Sequence, residues 1–243
     1  MCDDGFRIER LSWDSEFFGF PVGRLCVSSE DGQSCRLKQK VRESGCRLVY
    51  VFLPIGACHD LRRELVDLGG QLRDIKVTYR KKLHGAALPV KDWCEATTVT
   101  DELEKLAYAS GWCSRFATDD RLSPFFHSMY SIWLKRDFER GKIFVHHIDD
   151  RIGGMVTASI LGSVGKIGLL AVDSSCCGRG IGRQLMRDAD SWFAEAGVTE
   201  CEVVTQHANV AACGLYEKVG YSTFSQYEVW HLWTDGIREG GNR

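Results

Sequence analysis

Apolar positions along this chain recur with two periods, one that suits strands and one that suits helices, and their alternation predicts its elements. In the first third, Arg7 to Leu11 and Pro21 to Val27 read as strands on either side of an aromatic loop, Trp13-Asp14-Ser15-Glu16-Phe17-Phe18-Gly19-Phe20. Ser34 to Ser44 can cap and form a helix, Leu48 to Leu53 is a continuous apolar strand stopped by Pro54, and Leu61 to Leu68 is helical and stopped by Gly69-Gly70. Ile75 to Lys82 reads as a closing strand. His84 to Pro89 then breaks the pattern and is the candidate linker, so the chain divides into an N-terminal α/β region, 1–91, and a larger domain, 92–243.

The second part opens with helices, from about Asp101 to Ala109 and from Ser123 to Phe138, separated by Cys113 to Asp120. Strands follow at Lys142 to Ile148 and Arg151 to Leu161, joined by the turn Asp149-Asp150, and a third at Lys166 to Val172 after the turn Gly162 to Gly165. Beyond a glycine-rich loop, Ile181, Leu185, Ala189, Trp192 and Phe193 fall on one helical face, and Gly197 ends the helix. A strand at Cys201 to Thr205, a helix from Asn209 to Lys218 and a strand at Tyr227 to Trp233 complete the pattern. Strands alternating with helices in this way give an α/β chain.

Composition narrows the function classes. The 243 residues carry 44% hydrophobic and 26% charged side chains, close to the average for a globular protein. A net charge of -2 supplies no basic footprint for nucleic acid and no polybasic patch for a membrane surface. No apolar run approaches the ~18 residues that a membrane span needs, and the start, Met1 to Gly5, lacks the layout of a signal peptide, so a cytoplasmic location is expected. Eleven cysteines without a Cys-x-x-Cys pair are expected to be mostly reduced and buried, and no metal site is expected.

The candidate chemistry lies in Cys176-Cys177-Gly178-Arg179-Gly180-Ile181-Gly182. A helix that starts directly after such a loop presents unpaired backbone N–H groups and the positive end of its dipole, which together bind phosphate. Glycines at 178, 180 and 182 let the backbone approach a diphosphate closely. The dinucleotide fingerprint requires its third glycine one position later, and no Gly-Lys-Ser/Thr follows, so neither a Rossmann loop nor a nucleoside-triphosphatase loop fits.

Three further segments carry a family resemblance: Leu169-Leu170-Ala171-Val172-Asp173, then Cys177 to Leu185, then Asn209 with Leu215-Tyr216-Glu217-Lys218-Val219-Gly220-Tyr221. Together they resemble the cofactor motif and closing helix of the GNAT superfamily of N-acetyltransferases. The resemblance implies the GNAT fold, a mixed central sheet flanked by helices, with acetyl-CoA as co-substrate and a site in which Leu170, Val172, Cys177, Gly178, Arg179, Gly180, Ile181, Gly182, Arg183 and Asn209 hold the cofactor. It also suggests a homodimer. Cys177 departs from the pattern, since the superfamily usually has Gln or Arg there. Leu11 to Gly19, Ser114-Arg115-Phe116, Ile167 to Leu170 and Thr205-Gln206 are similar to the dTDP-fucosamine acetyltransferases, which acetylate the amino group of a dTDP-linked amino-dideoxy sugar. An amino-sugar nucleotide is the acceptor this second resemblance implies, with the N-terminal region helping to bind it.

Acetyl transfer needs a neutral amine, donors for the oxygen of the tetrahedral intermediate, and a proton for the departing thiolate. The resemblance places the general-acid tyrosine at Tyr216; a packed core tyrosine on an amphipathic helix is the competing role. Asn209 either hydrogen-bonds the cofactor or caps its helix, and the two are compatible. Arg115 suits a diphosphate because guanidinium binds phosphate in a bidentate manner, while pairing with Asp119 or Asp120 is its alternative. No carboxylate or histidine lies between Lys166 and Val172, which leaves water, His207 or Asp119 to deprotonate the amine. An acceptor of another kind, a protein N-terminus or a small amine, and an inactive acyl-CoA sensor are the other readings.

Overall fold

A computed structural model of the chain describes residues 7–27, 37–56, 59–83 and 94–237, in two compact units. One comprises residues 1–76 with 226–243, the other 77–225. The candidate linker and the 91/92 boundary fall on residues 84–93, outside the described residues.

In the first unit, strands β1 (Ile8–Arg10), β2 (Val22–Cys26), β3 (Leu48–Pro54) and β10 (Ser222–Trp233, its greater part) stand in that order. β2 runs parallel to β3, and Tyr227–Trp233 pair antiparallel with Leu48–Pro54. Residues of both faces of β3 are buried, which is why Leu48 to Leu53 is apolar throughout. Helices α2 (Leu37–Glu43) and α3 (His59–Asp67) contribute Leu37, Val41, Leu61 and Leu65 to a core with Val49, Val51, Leu53, Trp230 and Leu232.

The expected aromatic loop is instead a helix, α1 (Ser12–Phe18). Trp13 and Phe17, four apart, stack with centroids 5.0 Å apart, as one helical face allows. The Ser15 hydroxyl donates to Leu11 O at 2.6 Å, and Gly19 closes the helix at φ 74°.

The second unit carries β4 (Gln71–Lys82, its latter half), β9 (Glu200–Gln206), β8 (Val164–Val172), β7 (Arg151–Leu161), β6 (Lys142–Ile148) and β5 (Cys94–Glu95), in that spatial order. β5 to β8 pair antiparallel with their neighbours, and β8 pairs parallel with β9, so the sheet is mixed. Helix α7 (Ile181–Glu195) packs Ile181, Leu185, Met186, Ala189 and Phe193 against Phe144, Val156, Ala158, Ile167 and Val203. Helices α4 (Asp101–Ser110) and α6 (Phe126–Arg140) also pack on β7, and α4 packs on β8. The segment between them, expected to be irregular, contains a short helix, α5 (Arg115–Thr118). Helix α8 (Val210–Lys218) follows β9.

Among the described residues no helix is long and apolar enough to cross a membrane. Cys46, Cys113, Cys176 and Cys201 are buried as expected of small hydrophobes, whereas Cys26, Cys94 and Cys177 are exposed.

Candidate functional site

The site is assembled around the second half of β8. Its first half forms a ladder with β9 from Val164↔Glu200 to Ile167↔Val203, and the ladder ends there. On the other edge, the register with β7 slips: Ala158 faces Ile167 and Val156 faces Leu170, so Gly168 and Leu169 together oppose Thr157. This is a β-bulge, which bends a strand and increases its twist. The bulge therefore sits where β8 and β9 stop pairing.

Beyond the bulge the direction of each backbone group follows from one hydrogen bond. Asp173 N donates to Gly153 O at 2.9 Å, which makes that opposed pair a hydrogen-bonded one. Because such pairs alternate along an antiparallel ladder, Gly154↔Val172 and Val156↔Leu170 are the non-bonded pairs. The N–H and C=O of Leu170 and Val172 consequently face away from β7, into the space that β9 has left.

β8 leads directly into the glycine-rich loop. Asp173 caps a 3-10 turn, Ser174–Cys176, by accepting from Ser175 N at 2.9 Å. The hydroxyl and N–H of Ser175 hold the Asp173 carboxyl below its ordinary range. Cys177, Gly178, Arg179 and Gly180 are exposed. Gly178 and Gly180 have φ of 79° and 83°, a left-handed conformation that residues with a Cβ adopt at a cost. Gly180 is the N-cap of α7 and offers no side chain to its first turn; the first intrahelical bond there runs from Gln184 N to Gly180 O at 3.0 Å. The N–H groups of Ile181, Gly182 and Arg183 thus precede the intrahelical ladder and lie at the positive end of a 15-residue helix. Arg179 and Arg183 project from the same turn and are exposed.

α8 closes on the same turn. A Cβ on Gly182 would come within 3.1 Å of Leu215 Cδ2, which measures how closely the two helices meet there. Asn209 caps α8, its Oδ1 accepting from Ala212 N at 3.2 Å. Tyr216 is 4% exposed, with ring centroids 5.7 Å from Tyr79 and 6.3 Å from Tyr221. Burial pushes the Tyr216 phenol well above its ordinary pKa, with nearby Cys213 and Tyr79 adding to the effect, so it holds its proton. The end of α8 is fixed to α7 through Asp190, which accepts from Tyr221 OH at 2.8 Å and pairs with Lys81 at 2.6 Å.

The other candidates lie apart from this loop. The Arg115 guanidinium stacks over the Phe116 ring at 4.2 Å from its centroid. Asp119 is fully buried and accepts from Arg121 N at 3.0 Å. His207 is exposed, next to Gln206, whose Oε1 accepts from Cys113 Sγ at 3.6 Å. The structure therefore brings Leu170, Val172, residues 177–183, Asn209 and Tyr216 into one region, and places Arg115 and His207 around the end of β9.

Residues 112–221 match the model of the Acetyltransferase (GNAT) family. The uncharacterized N-acetyltransferase YobR of Bacillus subtilis (strain 168) is 24% identical over 119 residues, which are 49% of this chain and 48% of that protein. The chain therefore spans about half the length of the curated relative it matches. Among solved structures, a functionally unknown conserved protein from Staphylococcus epidermidis ATCC 12228 superposes with a TM-score of 0.60 at 11% identity, over 96% of this chain and 93% of that one. A GCN5-related N-acetyltransferase from Sphaerobacter thermophilus gives 0.52 at 18% identity, over 84% of this chain and 66% of that one. The chain has the GNAT fold, and its residues 112–221 are the stretch that matches the Acetyltransferase (GNAT) family.

Proposed function

We propose that the protein transfers the acetyl group of acetyl-CoA to a primary amine. One observation carries the reading: β8 leaves its partner at a bulge and runs, with two residues' backbone groups facing the gap, into a glycine loop at a helix N-terminus. The loop and the first turn of α7, residues 177–183, offer donors for the diphosphate. Leu170 and Val172 offer backbone partners for the pantetheine arm and for the thioester oxygen.

In this reading the amine nitrogen attacks the thioester carbon, the carbonyl oxygen takes up negative charge, and the C–S bond then breaks. Tyr216 gives its phenolic proton to the leaving thiolate, and the proton lost by the amine passes to water. We assign the acceptor to nucleotide-linked amino sugars, on the resemblance of Leu11 to Gly19 and of the Ser114 to Phe116 segment to acetyltransferases of that class. Arg115 would bind the acceptor's diphosphate.

A second reading is favoured by the burial of Tyr216 among Tyr79 and Tyr221. There the tyrosine is a core residue, and the protein binds acyl-CoA without protonating a thiolate from that position. Incubation with acetyl-CoA and a panel of amines, including dTDP-linked amino sugars, polyamines and an N-terminal peptide, separates these readings when thiol release is followed. Release with a sugar nucleotide alone supports the first; acetyl-CoA binding without release from any amine supports the second.

A further inference from the structure

The bulge brings the N–H of Leu169 up to a side chain of β7. This N–H donates to Thr157 Oγ1 at 2.8 Å, and the Thr157 hydroxyl donates in turn to Asp137 Oδ2 at 2.7 Å. Thr157 is 1% exposed and stands in an otherwise apolar stretch of β7. Asp137 belongs to the last turn and a half of α6, and its other oxygen accepts from Arg136 Nη2 at 3.0 Å. A hydroxyl has one proton. An ionised carboxylate can only accept, so it takes that proton and leaves the Thr157 oxygen as acceptor for Leu169. A peptide N–H can only donate, so the Leu169 end of the chain fixes the same direction.

Gly168 makes the arrangement possible. A Cβ there would sit 2.5 Å from both Asp137 Oδ2 and Thr157 Oγ1. A bulge requires only that one residue lose its ladder bond. Here a buried side-chain relay holds the N–H of the bulge's second residue, and the residue immediately after it, Leu170, is the first whose N–H faces the gap.

We propose that Asp137 and Thr157 are positioning residues that hold the bulge so that Leu170 N–H is aimed at the oxygen of the acetyl thioester. This rests on the acetyl-CoA reading given above. Neither side chain is assigned contact with substrate; both act through the peptide of Leu169. Misplacing a reacting group by about 1 Å can cost ~100-fold in rate, so loss of this hold should register in turnover before it registers in cofactor affinity.

The test uses the full chain and three variants. Isotope-edited infrared spectroscopy of acetyl-CoA labelled with carbon-13 at the carbonyl reads the hydrogen bond directly, without knowledge of the acceptor. With the wild type, the thioester carbonyl band should move to lower wavenumber on binding. Thr157→Val keeps the shape and removes both hydrogen bonds; it should lose the band shift and ~10- to ~100-fold of kcat towards whichever amine proves active. Its affinity for free CoA, which has no carbonyl at that position, should stay within about twofold of wild type. Thr157→Ser should restore band and rate. Should Thr157→Val fail to fold, Asp137→Asn decides, with a weakened shift and lowered kcat at unchanged CoA affinity expected. A folded Thr157→Val or Asp137→Asn protein with the wild-type band and kcat overturns the proposal, and so does a loss that tracks CoA affinity and melting temperature together. Failure of the wild type to bind acetyl-CoA would instead remove the underlying reading.

Discussion

The two halves of β8 belong to one strand and have opposite fates. Val164 to Ile167 is bonded on both edges, to β7 and to β9; Leu170 to Val172 keeps only β7. What separates them is one extra residue at Gly168-Leu169, and the N–H of Leu169 is held by the Thr157 hydroxyl. In the first half backbone polarity is used up in the sheet. In the second, one edge is left facing a gap, in a fold where edges are ordinarily paired or covered. An edge kept open in the interior of a mixed sheet is the feature on which the proposed binding site rests, more than any single side chain.

The strongest way to break this comparison is at the loop into which the open half leads. Gly180→Val forces a β-branched residue into a left-handed conformation at the N-cap of α7 and puts a side chain over the exposed donors. Acetyl-CoA affinity by calorimetry should fall by at least ~100-fold, given a strain cost of roughly 1–3 kcal/mol in addition to the obstruction. Equal affinity in a folded variant would place the cofactor elsewhere.

Tyr216 tests whether the gap supports chemistry or only binding. Tyr216→Phe retains the ring, so CoA affinity should be nearly unchanged, while kcat should fall ~100- to ~10,000-fold if the phenol is the general acid. Because burial raises its pKa, the phenol stays protonated beyond pH ~10. The wild-type rate should therefore show no decline from tyrosine ionisation as pH rises to about 10. A variant with wild-type kcat and a lowered melting temperature would assign Tyr216 to the core.

Arg183 sharpens the boundary between backbone and side-chain contributions. It is exposed on the first turn of α7, so Arg183→Glu should weaken acetyl-CoA by only ~10-fold, and the deficit should shrink as salt is raised. A deficit independent of salt would mean that the substitution acts on the loop's shape. The smallest effect is expected at Asn209. Asn209→Asp keeps an acceptor for Ala212 N and so preserves the cap, but it removes the amide's donor. If that donor reaches the cofactor, affinity should fall by about threefold at unchanged melting temperature; no change in affinity would confine Asn209 to capping.

The sequence was most informative where periodicity alone determines structure. β6 and β7 run over the expected residues because a continuous apolar run, Ile143 to Val145 in one and Gly153 to Ala158 in the other, lies on either side of the turn at Asp149-Asp150. Helix α1 was hidden, since Trp13, Phe17, Phe18 and Phe20 gave an apolar cluster with no evident polar face; Gly19 and the four-residue spacing of Trp13 and Phe17 were the available signals. β10 begins at Ser222, five residues before the apolar run that predicts it, because partner strands rather than its own polar residues sustain that end. The loop at 177–183 could be read, as glycine spacing before a helix is a local signal. The Asp137-Thr157-Leu169 relay could not, as it joins a helix and two strands through a register slip. Its only trace in the sequence is a polar Thr157 amid Gly153 to Ile160 and a glycine at 168.

On the proposed function, acetyl-CoA occupies the open half of β8 and the loop beyond it. Amide chemical shifts of nitrogen-15-labelled protein test it most directly when acetyl-CoA is titrated in. The account predicts that the largest changes fall on Leu170, Val172 and residues 178–183, while the amides of Val164 to Ile167, already bonded within the sheet, move little. Binding that leaves Leu170, Val172 and 178–183 unperturbed, or that shifts the two halves of β8 equally, would contradict it.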